Sequence, residues 1–488
     1  MIFFRVAYKS SIKPTTYPSF SLTTNDWDDY GTECTFYLNF YPKAGEKIGI
    51  GGLKILQKGT SKTLIPEKFD TLDDTNNNFI SLGQDIEFYE NLLENCGRSQ
   101  AENVLTALCD IAWQPPLAIP FETTSAYRNA LFRNNSALKA RRFGQAIIQG
   151  LPIDERFAFK YRLDIPNATS SFDVNIDLDE KDEIPGRIVS IIGRNAVGKT
   201  QFLASLAGDL VQLAKNTSKE SIEEREDRFY EQRPIFTRII TVSYSAFDKF
   251  ARPKSKHASY VYCGIRNEKG GLSKSHLIET YRTNMEKLRA ANRESEWLNY
   301  MKRILGEDSS ILDNQLDISA GDEDFTEKAL SLLSSGQSIL ANFVTALVAW
   351  IQPNSLILFD EPETHLHPNA VASLFGVFNE ILEDYKSFSI IATHSPVVIQ
   401  EIPGKRVIVF RREGNQTTAE PLAVESFGES ISELTRHVFE TIEIPHHYKK
   451  ILKDLAEDFS FSEIMALFKG RLSVSAQSYL MTRYKNPK

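Results

Sequence analysis

The sequence has few cysteines, and none of them is placed as a metal ligand or as half of a redox pair. Cys34, Cys96, Cys109 and Cys263 lie far apart, without a Cys-x-x-Cys pair and without a His/Cys cluster of zinc-like spacing. This pattern excludes a disulfide scaffold and a zinc finger. It predicts free thiols in a reducing compartment.

Long apolar runs are also missing. No stretch of about 18 apolar residues occurs, so no membrane-spanning helix is predicted. The first residues reach a charge at Arg5 before they build the apolar segment, roughly 7–15 residues long, of a secretory signal. We therefore expect a cytoplasmic protein.

The chain has no excess of positive charge. Its 56 Lys and Arg residues are outnumbered by 64 Asp and Glu residues, which gives a net charge of -8. This balance argues against a surface coated for nucleic acid, although the basic runs 139–142 and 249–257 leave local phosphate contacts open. With 488 residues, the chain is long enough for several domains of about 100–200 residues each.

The segment Gly193-Arg-Asn-Ala-Val-Gly-Lys-Thr200 fits the phosphate-loop pattern G-x-x-x-x-G-K-[ST]. A compact apolar run precedes it, and a helical pattern follows it. Its two glycines let backbone N–H groups wrap a phosphate, and the helix start adds its positive dipole end. We expect Mg²⁺ and ATP as cofactors, with Lys199 on the β- and γ-phosphates and Thr200 on the metal. The predicted nucleotide-binding residues here are Gly193, Arg194, Asn195, Ala196, Val197, Gly198, Lys199, Thr200 and Gln201.

Two acids, Asp360 and Glu361, follow the apolar run 356–359. Acids at the carboxyl end of a buried strand lie where ligands bind in open α/β sheets. We expect Asp360 to hold Mg²⁺ and Glu361 to orient or deprotonate the attacking water. His394 ends the next apolar run and is placed to reach the γ-phosphate. The predicted catalytic residues are Glu361, His394 and Lys199, and the predicted metal ligands are Thr200 and Asp360.

A segment containing serine and glycine, Leu333–Gln337, precedes the helix that leads to the Asp360 strand. Its composition alone fits an ordinary helix N-cap. However, the order phosphate loop, Leu-Ser-Ser-Gly-Gln, Asp-Glu-Pro and Ala-Thr-His-Ser-Pro resembles the ABC ATPase family, whose signature is Leu-Ser-Gly-Gly-Gln. The resemblance implies that Ser335, Gly336 and Gln337 contact the γ-phosphate of ATP bound to a second copy. It therefore implies at least a head-to-tail dimer.

The resemblance and the alternation of strands and helices predict an α/β fold. We expect an ABC-type P-loop ATPase with a β-rich N-terminal lobe, a central mostly parallel sheet, a short helical lid and a helical C-terminal tail. The predicted β-rich N-terminal part covers 1–185 and includes a helical insertion at about 84–145, and the phosphate-loop core covers 186–248. The predicted helical lid covers 249–330. The signature segment, the acid pair and His394 (the switch histidine) belong to 331–425, and the helical C-terminal region covers 426–488.

The branch of the family follows from the spacing and from the motif at the acid pair. The interval between Thr200 and Leu333 is too short for the coiled coil of SMC-type ATPases. Asp360-Glu-Pro-Glu-Thr-His-Leu-His-Pro368 resembles OLD-type and RecF-type ATPases, yet no Asp-x-Asp of a Toprim nuclease follows His394. The layout of the whole chain resembles PtuA, the ATPase family of the Septu anti-phage defence system. That resemblance implies a separate HNH nuclease partner (PtuB-like) that cleaves DNA, and assembly beyond a dimer.

Two alternatives stay open: a standalone DNA-repair or recombination ATPase like the RecF and OLD proteins, and a non-enzymatic scaffold that binds ATP. Two departures from the ABC pattern bear on them. The glutamine expected after the strand at 239–244 is absent, which leaves Ser245 or Asp248 as a replacement near Mg²⁺. His367 stands where transporter subunits have an aspartate. The residues that could stack on adenine are Phe159, Tyr161 and Phe172.

Overall fold

The computed structural model describes residues 1–25, 27–29, 31–72, 78–153, 155, 157–165, 168–178, 184, 186–211, 219–230, 232–244, 250, 259–264, 274–305, 335–438 and 447–485. The chain divides into two compact units, Met1–Glu429 and Ser430–Lys488. Among the described helices, none combines the length and the apolar character that crossing a membrane requires.

Residues 1–149 (the N-terminal lobe) are built on a six-stranded sheet with strand order β5-β1-β2-β3-β4-β6. β1 and β2 are parallel, and the other neighbouring pairs are antiparallel. Phe36, Leu38 and Phe40 alternate along β3 with their side chains in the core, as a strand with one buried face requires. The strands are β1 Ile2–Val6, β2 Ser19–Thr24, β3 Thr35–Tyr41, β4 Ile48–Gln57, β5 Lys68–Phe69 and β6 Phe79–Gly83.

Helices α1 Ile86–Cys96, α2 Arg98–Ala107 and α3 Asn135–Gln149 belong to this lobe. A 3₁₀ turn at Pro115–Ala118 and a π-helical turn at Ala126–Leu131 separate α2 from α3. Asp85 caps α1, because its side chain accepts a hydrogen bond from the Phe88 N–H at 2.8 Å. Phe88, Tyr89 and Leu92 then pack with the apolar face of the sheet into one core.

Residues 157–429 (the large-sheet region) are built on a seven-stranded sheet with strand order β11-β10-β12-β13-β9-β14-β15. The sheet is parallel except for its edge strand β15. Its strands are β9 Ile188–Ile192, β10 Ile239–Ser243, β11 Tyr260–Gly264, β12 Leu356–Asp360, β13 Phe388–Thr393, β14 Val407–Glu413 and β15 Gln416–Pro421. A separate hairpin pairs β7 Ala158–Leu163 with β8 Phe172–Asp177.

The central strands β9, β10, β12 and β13 are buried at every position, in keeping with their largely unbroken apolar sequences. The helices of this region are α4 Lys199–Val211, α5 Lys219–Glu226, α6 Lys274–Ala290, α7 Glu294–Leu305, α8 Ser335–Trp350, α9 Pro368–Asp384 and α10 Pro396–Ile399, with a 3₁₀ turn at Gly404–Arg406. Because the strands are parallel, their carboxyl ends meet at one edge, where ligands bind. The predicted α/β class, β-rich N-terminal lobe and mostly parallel central sheet are confirmed.

The second unit contains helices α11 Ile431–Val438, α12 His447–Asp458, α13 Phe461–Leu467 and α14 Val474–Lys485. A small core of Leu452, Ile464, Ala476 and Leu480 holds it together. Ser460 begins α13 with a capping box, since its side chain and that of Glu463 exchange hydrogen bonds with the backbone.

The large sheet contains an element that the sequence pattern does not predict. The sequence predicts a helical lid over 249–330, whereas Tyr260–Gly264 within that range is strand β11, paired in parallel with β10. The strand is only five residues long and is bordered by charged sequence, so its hydrophobic pattern is too short to distinguish it from a loop. Helices α6 and α7 do follow it.

Candidate nucleotide-binding and hydrolysis site

The phosphate loop joins β9 to α4 and takes a backbone path that depends on its two glycines. The φ angle is 153° at Gly193 and 107° at Gly198, a region that side chains disfavour. A Cβ on Gly193 would lie 2.4 Å from the Phe410 carbonyl oxygen, and one on Gly198 would lie 2.4 Å from Ile165 Cδ1. The Phe410 backbone therefore leaves no room for a side chain at Gly193, whereas at Gly198 the end of the Ile165 side chain would have to move and the positive φ disfavours one.

The ammonium group of Lys199 lies against the loop that precedes it. Nζ donates hydrogen bonds to the carbonyl oxygens of Gly193 at 2.8 Å and Arg194 at 3.2 Å. Burial lowers the pKa of Lys199, and the nearby carboxylates of Glu361 and Asp360 act in the opposite direction. A cation held only by neutral carbonyl oxygens gains strongly by exchanging them for phosphate oxygens.

Thr200 and Asp360 converge although they are 160 residues apart in the chain. The Thr200 hydroxyl lies 3.0 Å from each carboxylate oxygen of Asp360, and Asp360 is only 1% exposed. Among the described residues, no group of three or more His, Cys, Asp and Glu side chains could hold a metal by itself. A hydroxyl and one carboxylate nevertheless fit Mg²⁺, which keeps several waters and takes further ligands from substrate phosphates.

Glu361 follows β12 in a left-handed backbone conformation, with φ of 51°. A glutamate pays for this conformation with backbone strain on the order of 1–3 kcal/mol, a pattern concentrated at functional sites. Its N–H is fixed by the Ala392 carbonyl oxygen of the neighbouring strand at 2.8 Å. By contrast, its side chain has a looser contact, in which Thr364 Oγ1 lies 3.4 Å from Oε2. The backbone of Glu361 is therefore held by a shorter hydrogen bond than the one between its carboxylate and Thr364.

His394 lies beside Glu361, as the strand order requires for residues that end neighbouring strands. Its Nδ1 is 3.4 Å from Glu361 Oε1 and 3.3 Å from Glu363 Oε1. The hydrogen bond with Glu361 raises the pKa of His394, and the charge of Glu363 adds to this effect. The same hydrogen bond lowers the pKa of Glu361. The pair is therefore an ionised carboxylate beside an imidazole biased towards its cationic form.

Three predicted catalytic side chains and both predicted metal ligands thus meet at the carboxyl edge of β9, β12 and β13. Gly336 and Gln337 lie in the first turn of α8, which begins at Ser335. A Cβ on Gly336 would meet only the His365 carbonyl oxygen at 3.4 Å and Leu366 Cδ2 at 3.5 Å within 4 Å. Among the described residues, Gly336 therefore lies beside the segment after the acid pair.

The two departures from the ABC pattern have different outcomes. Ser245 and Asp248 lie outside the described residues, so neither can be placed relative to Asp360. His367 is the N-cap of α9, and its Nδ1 lies 3.4 Å from the Asn369 N–H. The residue that replaces the transporter aspartate has a capping function that the sequence pattern does not reveal.

The predicted candidates for adenine stacking are core residues. Phe159, Tyr161 and Phe172 are at most 9% exposed, and the Tyr161 hydroxyl is bonded to Asp209 at 2.7 Å. Their rings are packed inside the large-sheet region, which leaves no face for a base. All three lie on the buried face of the β7–β8 hairpin.

The basic run at 139–142 is also largely structural. Lys139 is 5% exposed and forms an ion pair with Glu155, and Arg142 donates to the Arg233 carbonyl oxygen at 3.1 Å. These cations are engaged within the fold and are poor candidates for phosphate contacts. The other run, 249–257, falls almost wholly outside the described residues.

Two further residues belong to the site although the sequence does not mark them as functional. Glu363 accepts hydrogen bonds from the Thr393 hydroxyl at 2.7 Å and from the His394 N–H at 3.0 Å. Arg412, from the β14–β15 hairpin, donates to the Ala196 carbonyl oxygen of the phosphate loop at 3.2 Å. A third acid two residues after Glu361 was a usable signal for Glu363. Nothing in the sequence places Arg412 beside the loop.

Residues 188–400 match the family profile described as "AAA domain, putative AbiEii toxin, Type IV TA system". The chain is 27% identical over 504 aligned residues to protein ea59 of Escherichia phage lambda, covering 95% of this chain and 94% of that protein. It is 36% identical over 94 residues to the lipoprotein-releasing system ATP-binding protein LolD of Buchnera aphidicola, covering 19% of this chain and 38% of that protein. The solved structure of cbiO1 from Clostridium perfringens, part of the ABC transporter complex cbiONQ, is 14% identical, with a TM-score of 0.29, and covers 65% of this chain and 100% of that one.

The sequence matches and the site geometry agree on the central part of the chain. Residues 188–400 match an AAA-type ATPase domain, and a P-loop ATPase domain implies ATP as the bound nucleotide. The more specific resemblance to the Septu ATPases stays a prediction.

Proposed function

We propose that this chain hydrolyses Mg²⁺-ATP at the carboxyl edge of β9, β12 and β13. The observation that carries the proposal is the Glu361–His394 pair beside the Thr200–Asp360 pair, on strands next to the phosphate loop. A site that only held nucleotide would need the loop and the metal ligands. The additional ionised carboxylate and the histidine are the groups that hydrolysis requires.

Each side chain has a distinct task in this reaction. Lys199 exchanges its carbonyl partners for phosphate oxygens and balances their charge. Thr200 and Asp360 would hold Mg²⁺, which, when bound, neutralises charge on the phosphates. Glu361, kept ionised by its lowered pKa, accepts a hydrogen bond from the attacking water. His394, with its raised pKa, offers a positive N–H donor to the γ-phosphate.

The decisive experiment compares ATP hydrolysis and ATP binding in Glu361→Gln. We expect kcat to fall on the order of 10²–10³-fold, because one preorganised catalytic group is lost. ATP binding should persist, since Lys199 and Thr200 are untouched. Glu294→Gln is the matched control, because Glu294 lies on the surface of α7 in an exposed ion pair with Arg289. Wild-type turnover in Glu361→Gln would exclude Glu361 as the catalytic carboxylate, and tight binding without turnover by the wild type would favour the scaffold alternative.

The second part of the proposal is that ATP lies between two copies of the chain, with Ser335, Gly336 and Gln337 of one copy facing the nucleotide of the other. It is supported by the surroundings of Gly336, because the heavy atoms within 4 Å of a Cβ at that position belong, among the described residues, to 365–366. Light scattering of Glu361→Gln with ATP should show a dimer or a larger assembly. Gly336→Asp should block that assembly by placing a carboxylate against phosphate. A chain that stays monomeric with ATP contradicts this arrangement.

The third part of the proposal concerns the process that the ATPase controls. We place it in an anti-phage defence complex in which it regulates a separate HNH nuclease that cleaves DNA, on the strength of the Septu resemblance. The test is purification of the tagged chain together with the product of the neighbouring gene, followed by DNA cleavage with and without ATP. A co-purifying nuclease, with phage protection that is lost in Glu361→Gln, supports this role. DNA binding without any nuclease partner instead favours the standalone repair or recombination ATPase.

A further inference from the structure

A third carboxylate, Glu363, lies beside His394, and the proposed hydrolysis assigns it no role. Its side chain is 11% exposed, compared with 27% for Glu361 and 48% for His394. The turn after β12 brings it there, through the positive φ of Glu361 and the hydrogen bond from the Thr364 N–H to the Glu361 carbonyl oxygen at 3.0 Å. Glu363 is thus a more enclosed carboxylate on the same turn as Glu361.

The two carboxylates are held very differently. Glu363 Oε1 accepts from the Thr393 hydroxyl at 2.7 Å and from the His394 N–H at 3.0 Å. Among the described residues, the Glu361 carboxylate has one hydrogen bond besides His394, the 3.4 Å contact with Thr364. His394 Nδ1 lies at nearly equal distance from both. His394 Nδ1 therefore lies between one carboxylate with two short hydrogen bonds to β13 and its end, and another with a single longer one.

The second oxygen of Glu363 argues against a purely structural reason for the residue. Oε2 is buried and finds no hydrogen-bond partner among the described residues. A buried polar atom without a partner costs free energy, and a glutamine or threonine would join the turn to β13 without a buried charge. The charge at this position needs another explanation, and the adjacent imidazole supplies it.

We propose that Glu363 is the positioning residue of His394: its carboxylate accepts a hydrogen bond from Nδ1–H, fixes the ring, and leaves Nε2–H to donate to the γ-phosphate. A fixed carboxylate acceptor at Nδ1 keeps that nitrogen protonated and favours the imidazolium form, in which Nε2–H can donate to the γ-phosphate. Glu361 is then free to leave the histidine and accept from the attacking water. This assignment rests on the proposed hydrolysis, because it gives His394 its task.

The test is Glu363→Gln in the full-length chain, with Glu294→Gln as the control. The amide oxygen can still accept from Thr393 and the His394 N–H, so the turn is retained while the charge is lost. We expect kcat to fall about 10–100-fold, the range for residues that orient a group in direct contact with the ligand, with little change in KM for ATP. Thr393→Val keeps the charge but removes one donor that fixes it, and should cause a smaller loss of kcat.

The readout that separates positioning from structure is the NMR titration of His394 without nucleotide, assigned by comparison with His394→Gln. In Glu363→Gln the pKa of His394 should fall towards the ordinary histidine value, whereas Glu294→Gln should leave it unchanged. An unchanged His394 titration in Glu363→Gln overturns the inference, whether or not kcat falls. If the wild type has no ATPase activity, the proposed function fails, but the titration still decides whether Glu363 holds His394.

Discussion

The N-terminal lobe and the large-sheet region both bury charged side chains, but they surround them differently. In the lobe, Asp29 is bonded to Arg133 at 2.6 Å, to Lys54 at 3.1 Å and to the Thr35 hydroxyl at 2.9 Å. Lys54 is further bonded to the Ala130 carbonyl oxygen at 2.6 Å. These hydrogen bonds lower the pKa of Asp29 against the effect of burial. The charges in this network are matched by opposite charges inside the lobe.

In the large-sheet region the corresponding charges lie at the open edge of a parallel sheet. Lys199 is as buried as Lys54, yet its hydrogen bonds go to two loop carbonyl oxygens rather than to a carboxylate. Glu361 and His394 remain partly exposed. Burial alone therefore does not identify the role of a charge. A buried charge matched by an opposite charge destabilises the fold when its partner is removed, whereas one that bonds to neutral carbonyl oxygens beside a glycine-rich loop can exchange them for a charged ligand.

Lys199→Ala should give the largest effect, and it should appear in binding. Removing one partner of a charged contact costs about 2–5 kcal/mol, which is roughly 30-fold or more in ATP affinity. Calorimetric titration with ATP measures the loss directly. ATP affinity equal to that of the wild type would show that Lys199 does not bind the nucleotide and does not differ from Lys54 in this respect.

Lys54→Met should lower the stability of the fold and leave ATP binding unchanged. It leaves Asp29 buried with one cation fewer, and breaking a buried ion pair costs about 3–5 kcal/mol of the free energy of unfolding. Denaturant titration should show this loss, while ATP binding by the folded fraction should be unchanged. A variant with wild-type stability and weakened ATP binding would contradict a purely structural role for the lobe network.

Tyr89→Phe should cause a smaller loss in the same lobe. The Tyr89 hydroxyl donates to Asp110 Oδ2 at 2.9 Å and accepts from the Gly83 N–H at 3.1 Å. Burial raises the pKa of Asp110 to about 6, against the hydrogen bonds that lower it. Loss of the Tyr89 hydroxyl would remove one of the donors to this buried carboxyl group. We expect a loss of about 1–3 kcal/mol in the free energy of unfolding. Thermal unfolding beside Tyr127→Phe, a less buried tyrosine of the same lobe, provides the comparison.

The Glu361–His394 pair should contribute least to stability, because His394 is 48% exposed and solvent screens the pair. The raised pKa of His394 gives a contribution that is present below its ordinary value of 6.5 and lost as pH rises through the raised value. The lowered pKa of Glu361 gives one that is present above its ordinary value of 4.5 and lost as pH falls. His394→Gln should therefore lower stability by less than about 1 kcal/mol, mainly between these pH values. A pH-independent difference of several kcal/mol would make this pair structural, like Asp29 and Lys54.

The site could be predicted from the sequence where its residues belong to one continuous segment. The phosphate loop is of this kind, because its glycines, lysine and threonine act through the local path of the backbone. The sequence also allowed Asp360, Glu361 and His394 to be predicted as site residues, because buried parallel strands end at a common edge. Strand β11 could not be predicted, because its apolar pattern is too short to distinguish it from a loop. The burial of Phe159, Tyr161 and Phe172 could not be predicted either, because the sequence does not say whether an aromatic side chain lies in the core or at a ligand.

By itself, the sequence determined the identity and order of the phosphate loop, the acid pair and the switch histidine, and with them an ATP-binding α/β module. Only the tertiary structure decided that Thr200 meets Asp360, that His394 lies between two carboxylates, and that Lys54 and Lys199 have different kinds of partner. The physical reason is that these relations depend on which strands are neighbours. Strand order is fixed by the packing of the whole sheet and not by any local run of residues.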